Sequence, residues 1–168
     1  PPMIFAAQQL RIDNHFNPLT ILGSEVPFPF SPRPSRILTP EMPDGVIACM
    51  PLLDDWGIAS RLTSLNDFAG CYQGFATDLA RHWLNSLDPE NRGQVEILSC
   101  GPHPMLAAVN ALALEFDLPS QVSLEEYMAC GVGGCAGCVV PVQTGSTGQA
   151  MKRVCVDGPV FDARQVFF

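Results

Sequence analysis

The chain has 168 residues, of which 47% are hydrophobic and 15% charged, and a formal net charge of -8. That length suits a single domain with a sizeable core, and the negative charge argues against a nucleic-acid partner, whose phosphates would be repelled. No apolar run approaches the roughly eighteen residues of a membrane span; a soluble, cytoplasmic protein is expected, with part of its charge-poor surface covered by another domain or subunit.

Pro1 and Pro2 open a short helical pattern, with Ile4, Ala7 and Leu10 as its apolar set. Residues 18–23 read as a short buried strand ended by Gly23 and Ser24. Between 25 and 36, Pro27, Pro29, Pro32 and Pro34 exclude helix and central strand. An extended loop is expected there, with Phe28 and Phe30 pinning it to the core. After a bend at Pro40 and Pro43, residues 45–50 are a further strand candidate, in which Cys49 is a small buried hydrophobe. Residues 52–57 read as a helical turn closed by Gly57 and 58–65 as a strand. A loop at 67–74 then opens a helix with Phe75, Leu79, Trp83 and Leu87 in one stripe; His82 falls off it as a solvated or capping residue.

A break at 88–93 precedes the best strand signal, 94–99. Cys100-Gly101-Pro102-His103-Pro104-Met105 follows and opens a helix carrying Met105, Leu106, Val109, Leu112, Ala113 and Phe116. Strand, glycine turn and helix in that order is where open α/β sheets place ligands. Asp117-Leu118-Pro119 stops the helix, and 120–124 is a last strand. The alternation predicts an α/β fold: a doubly wound, mostly parallel sheet with helices on both faces, and a small C-terminal cysteine segment as an appendage.

That segment holds the sharpest signal. Cys130-Gly131-Val132-Gly133-Gly134-Cys135-Ala136-Gly137-Cys138 spaces three cysteines by four and two residues, and Cys155 follows after sixteen more. This is the ferredoxin-type pattern of four thiolates around a 2Fe-2S cluster. Two irons bridged by two sulfides need four thiolates in a small volume, and a tight loop supplies three by wrapping around them. The glycines permit positive φ and close backbone approach, so freed N–H groups can point at the sulfurs. A structural zinc site is one alternative, although it usually shows two Cys-x2-4-Cys pairs. Disulfides or free thiols are another, although the seven cysteines of this chain come with length enough for a core.

Together, the Cys100–Met105 turn and the cysteine loop resemble the electron-transfer subunit of the two-subunit, NAD-dependent dihydroorotate dehydrogenases, within the ferredoxin reductase-like flavoproteins. Gln121-Val122-Ser123-Leu124-Glu125-Glu126 and Arg153-Val154-Cys155-Val156-Asp157-Gly158-Pro159-Val160-Phe161-Asp162 resemble it most closely. That family combines a flavin-binding barrel, a nicotinamide-binding α/β domain and a 2Fe-2S segment. The resemblance implies a partial NAD-binding domain at 1–120 and a cluster segment at 121–168. It implies Cys130, Cys135, Cys138 and Cys155 as cluster ligands, in agreement with their spacing. Cys100, Gly101 and Pro102 would lie beside the nicotinamide ring, with Met105 in the helix they open, and Gly23 and Ser24 would meet the adenosine end of the dinucleotide. Cys100 also has the plain reading of a buried thiol at a strand end.

Neither the flavin barrel nor the glycine-rich turn after the first strand of the nicotinamide domain occurs in these residues, so a fragment of a longer protein is expected. The implied cofactors are a 2Fe-2S cluster, NAD(H), and FAD held mainly by the missing domain. The implied partner is a dihydroorotate dehydrogenase catalytic subunit or a similar redox protein, and no catalytic acid or base is needed. A homologous subunit serving a hydrogenase or a ferredoxin:NADP oxidoreductase is an alternative. An inactive fragment acting only as a metal-binding or structural module is another.

Overall fold

The computed structural model describes residues 1–13, 15–145 and 148–168. The chain divides into two compact units, Pro1–Arg92 and Gly93–Phe168.

In the first unit, Pro2 starts α1 (Pro2–Leu10), where a missing N–H costs nothing. Buried Ala7 packs with Leu53 and Ile58, against half-buried Leu22, Met50 and Trp56. The Arg11 guanidinium lies 5.2 Å from the Trp56 ring. Strand β1 (Leu19–Gly23) precedes the proline-rich loop, of which only β2 (Arg33–Pro34) is paired, antiparallel to β3 (Ala48–Cys49). The Phe28 ring packs on Phe30 and Phe68 with centroids 5.3 and 6.2 Å apart. Helical turn α2 (Pro51–Asp55) leads through Gly57, at φ +77°, into β4 (Ala59–Ser64). Strand β4 runs parallel to β1 on one side and to β5 (Tyr72–Gln73) on the other. Ser60 to Ser64 are all buried, as expected of a central strand covered on both faces. Helices α3 (Ala76–Ser86) and α4 (Pro89–Arg92) complete the unit.

The stripe expected on α3 is turned. Phe75 is 59% exposed, and Leu79 and Leu84 are the buried residues. Phe75 sits just before the helix in extended conformation, φ -79° and ψ 155°, with its N–H donating to Asp78 Oδ2 at 3.2 Å. Its side chain therefore leaves the line set by the helical repeat. His82 is exposed, as read from the sequence.

In the second unit, β6 (Ile97–Cys100) runs straight into the Gly101-Pro102 turn and α5 (His103–Glu115), whose Leu106, Val109, Leu112 and Ala113 are buried. Asp117, at φ +50°, reverses the chain into β7 (Ser120–Ser123), parallel to β6. After the cysteine loop come the antiparallel hairpin β8 (Val139–Thr144) and β9 (Gly148–Arg153), the turn α6 (Val154–Asp157), β10 (Val160–Asp162) and α7 (Ala163–Val166). Strand β10 pairs antiparallel with β7, making β7 central in the order β10-β7-β6. Leu106, Val122, Leu124, Cys138, Val154 and Ala163 form one buried cluster.

The architecture is thus mixed α/β with parallel pairing, but its described strands form two three-stranded sheets and two two-stranded ones rather than one continuous sheet. Strand β7 hydrogen-bonds to β6 before it and β10 after it, within the compact unit Gly93–Phe168 that also holds the four cysteines of the pattern. Among the described residues, no helix is long and apolar enough to cross a membrane.

Candidate metal centre

All four cysteines of the pattern lie in the second unit, and the hairpin explains how. The β8–β9 register sets Val139 opposite Arg153, and Val154 N–H donates to Cys138 O at 3.0 Å, carrying the ladder one step further. The residue before β8 and the turn after β9 are thereby brought together. Cys138 and Cys155, seventeen positions apart, become neighbours, with Cys155 N–H donating to Cys138 Sγ at 3.4 Å.

The loop itself turns through Gly131, Gly133 and Ala136, at φ +66°, +80° and +55°. Its backbone N–H groups point inward at sulfur. Gly137 N–H donates to Cys135 Sγ at 3.4 Å. The Val132 N–H, then the Cys135 thiol and the Cys135 and Gly134 N–H groups, bring the Cys130 thiol down to about 6. The Cys155 N–H likewise lowers the Cys138 thiol, while Cys155 is raised, first by its hydrogen bond with Cys138 and then by burial. The Gly133 N–H opposes that rise, so the loop reaches the fourth cysteine as well. Among the described residues, no three His, Cys, Asp or Glu side chains form a ready set for a single ion. Cys138 and Cys155 stand side by side, and the Cys130 thiol interacts with Cys135 and, by its charge, with Cys155.

Two terminal ligands per iron is the arrangement a binuclear cluster uses, and preformed N–H donors suit sulfur that gains negative charge. The donor set therefore fits a 2Fe-2S cluster held by Cys130, Cys135, Cys138 and Cys155, which when bound supplies one-electron transfer. Gly133 shows the tightness of the cradle: a Cβ there would come within 2.7 Å of Val156 Cγ2. Gly134 has neither positive φ nor a close neighbour, so not every glycine of the loop is demanded by geometry. All seven cysteines are free thiols. Cys49 is buried and Cys71 half-buried in the first unit, and burial pushes both thiols up.

The other sequence-predicted residues separate by unit. Cys100 ends β6, half-buried, its thiol 3.7 Å from Glu125 Oε1 and raised first by burial and then by that charge. At Gly101 a Cβ would overlap Met105 Cε and Sδ, so Met105 folds back over the turn before α5. Pro102 is the residue capping α5, in extended conformation. Cys100, Gly101, Pro102 and Met105 are thus one local cluster. In the first unit, Gly23 ends β1 and a Cβ there would lie 3.1 Å from Thr63 Oγ1, a buried hydroxyl without a partner among the described residues. Ser24 N–H donates to Thr63 O at 3.1 Å, and its hydroxyl donates to Val26 O at 2.7 Å. An uncovered backbone beside an orphaned hydroxyl, at the carboxyl ends of parallel strands, is a fit for a polar ligand.

The sequence reading missed three contributors. The β8–β9 hairpin delivers the fourth cysteine, and Thr144-Gly145 with Gly148 flanked by alternating residues was the signal for it. Ala136 takes a left-handed conformation although it is not glycine. Arg153 reaches into the loop, its Nη1 donating to Gly133 O at 3.2 Å.

Comparisons with known proteins agree with this geometry. Residues 125–167 match the family model described as the iron-sulfur cluster binding domain of dihydroorotate dehydrogenase B. A solved structure of an NADH-dependent reduced ferredoxin-NADP oxidoreductase, concerned with flavin-based electron bifurcation, superposes with a TM-score of 0.65 at 27% identity, covering 96% of this chain and 48% of that one. The chain is thus similar to a ferredoxin-NADP oxidoreductase over nearly all of its length and, over residues 125–167, to an iron-sulfur cluster binding domain. The chain is also similar to electron transfer subunits of dihydroorotate dehydrogenase B (NAD(+)). The subunit from Caldanaerobacter subterraneus subsp. tengcongensis is 45% identical over 86 residues, 51% of this chain and 34% of that protein. The subunit from Listeria welshimeri is 44% identical over 94 residues, 56% of this chain and 33% of that protein. The match thus spans about a third of the length of these relatives.

Proposed function

We propose that this chain is part of an electron-transfer component in which electrons pass from NADH, by way of FAD and a 2Fe-2S cluster, to or from a dihydroorotate dehydrogenase catalytic subunit in pyrimidine biosynthesis. The observation that carries the reading is the approach of Cys155 to Cys138 across the β8–β9 hairpin, inside the segment that matches an iron-sulfur binding domain. The protein's part is to hold, orient and electrostatically tune the cofactors. FAD is assigned to segments outside these residues. The finer fold reading is a nicotinamide-binding α/β domain joined to a cluster segment. Cys100, Gly101, Pro102 and Met105 are assigned to the nicotinamide side, and Gly23 and Ser24 separately to the adenosine side. A cytoplasmic setting belongs to the same reading, because thiolate ligands persist where cysteines are kept reduced.

The likeness to an NADH-dependent ferredoxin-NADP oxidoreductase supports a second reading, the same architecture serving another redox partner. The test is anaerobic mixing of the full-length protein with NADH, with and without a dihydroorotate dehydrogenase catalytic subunit. Cluster reduction by NADH and reoxidation on adding that subunit with orotate are expected. Reduction by NADH followed by reoxidation only with ferredoxin would favour the second reading, and no cluster reduction would contradict both.

A further inference from the structure

The Gly133 carbonyl accepts from Arg153 Nη1 at 3.2 Å. The same guanidinium donates through Nε to Asp157 Oδ2 at 3.3 Å, and that oxygen also accepts the Arg153 backbone N–H at 2.8 Å. Asp157 closes the turn α6 that carries Cys155. One side chain therefore ties the loop bearing three of the thiols to the turn bearing the fourth.

The arrangement adds little to fold stability, because the ion pair is partly open to solvent, with side chains 42% and 27% exposed. What it supplies is placement and charge. Lys152, Arg153 and Arg164 are the basic residues of the second unit. Arg164 is engaged elsewhere, donating to Asp117 Oδ1 at 3.0 Å and to Leu118 O. At Gly133 the approach is close: a Cβ there would stand 3.3 Å from Arg153 Nη1.

We propose that Arg153 is a positioning residue that clamps the cysteine loop to the Cys155 turn and, with Asp157 as its counter-charge, sets the reduction potential of the cluster. The proposal rests on the reading that the four cysteines hold a 2Fe-2S cluster. Reduction adds one negative charge to the cluster, so a neighbouring cation favours the reduced form and a neighbouring carboxylate disfavours it. Arg153→Gln should lower the midpoint potential and Asp157→Asn should raise it. Because the two groups contact one another, the double variant should depart from the sum of the single shifts. Arg153→Lys keeps the charge but loses the two-armed geometry, so it should hold the potential near its original value while loosening the loop.

The test uses the anaerobically reconstituted chain, with midpoint potentials from EPR-monitored titration, cluster loss to a chelator, and hydrogen exchange over residues 130–138 in the cluster-free protein. Potential shifts of opposite sign are expected, with cluster loss faster by about ten- to a hundredfold in Arg153→Gln, the range typical of groups that orient metal ligands. Faster exchange in the loop should accompany it without a matching change in global unfolding. If Arg153→Gln does not accept a cluster, Arg153→Lys and Asp157→Asn carry the measurement. Unchanged potentials, loss rates and exchange in the variants, with a normal 2Fe-2S signal in the parent, would overturn the clamp alone. A parent chain that forms no cluster would overturn the clamp together with the cofactor reading.

Discussion

Two irregular loops in this chain solve the problem of holding polar atoms in opposite ways. The proline-rich loop of the first unit is fastened by its Arg33, Ser35 and Arg36 to two aspartates of α2. The buried Asp54 carboxylate accepts from Arg36 Nε at 2.8 Å, Ser35 Oγ at 3.0 Å and Arg33 Nη2 at 3.0 Å, and Asp55 pairs with both arginines. Although burial opposes ionisation, these donors hold the Asp54 carboxyl well below the usual carboxylate range. The cysteine loop is tied through one side chain, Arg153 on the Gly133 carbonyl, while N–H groups of Gly137 and Cys155 are directed at the Cys135 and Cys138 sulfurs. Four thiols so close repel one another once deprotonated and need a cation between them. A loop fastened by ion pairs acts as a structural staple, whereas one that directs N–H donors at sulfur suits a bound metal cluster.

The sharpest way to break that contrast is to exchange cysteines. Cys135→Ser should abolish the 2Fe-2S absorption, while Cys49→Ser and Cys71→Ser, in the first unit, should leave it intact. Equal behaviour of all three would show the ligand set to be wrong.

The next effect falls on the first unit. Leu62, fully buried in β4, should cost about 2–5 kcal/mol when replaced by Ala, read by denaturant unfolding. Asp54→Asn should cost about 1–3 kcal/mol at neutral pH, because it replaces charge-assisted hydrogen bonds in a buried site. Its sign with pH follows from the lowered carboxyl. The stability that Asp54 adds is fully present above its usual value of 3.8 and is lost as the pH falls through the still lower folded value. Parent and variant should therefore converge in strong acid, and a gap that widened there would contradict the assignment. The smallest expected change in global stability is at Gly133→Ala. The left-handed φ and the contact with Val156 should cost about 1 kcal/mol, while cluster loss, followed by the decay of visible absorption, becomes faster.

What was legible in the sequence was what is local. The cysteine spacing, Pro2 at the start of α1, Gly57 after α2 and the strand-turn-helix at Cys100 each declare themselves within a few residues. What escaped depends on distant partners. The staple joins Arg33 to Asp54 across 21 positions, and neither residue marks the other by pattern. Strand β6 begins at Ile97 rather than 94 because its partner β7 begins at Ser120, opposite it. One sheet was expected because alternation of strands and helices does not encode which strands pair, and β10 enters from beyond the cysteine loop. Among the described residues β8 pairs with β9 alone, the edge position in which a strand tolerates Pro141.

The most direct test of the central claim is anaerobic reconstitution with iron and sulfide, followed by visible absorption and low-temperature EPR after dithionite reduction. The account predicts a rhombic S = 1/2 signal from a 2Fe-2S cluster bound by Cys130, Cys135, Cys138 and Cys155. Zinc held in place of iron, or no metal taken up under careful anaerobic handling, would contradict it.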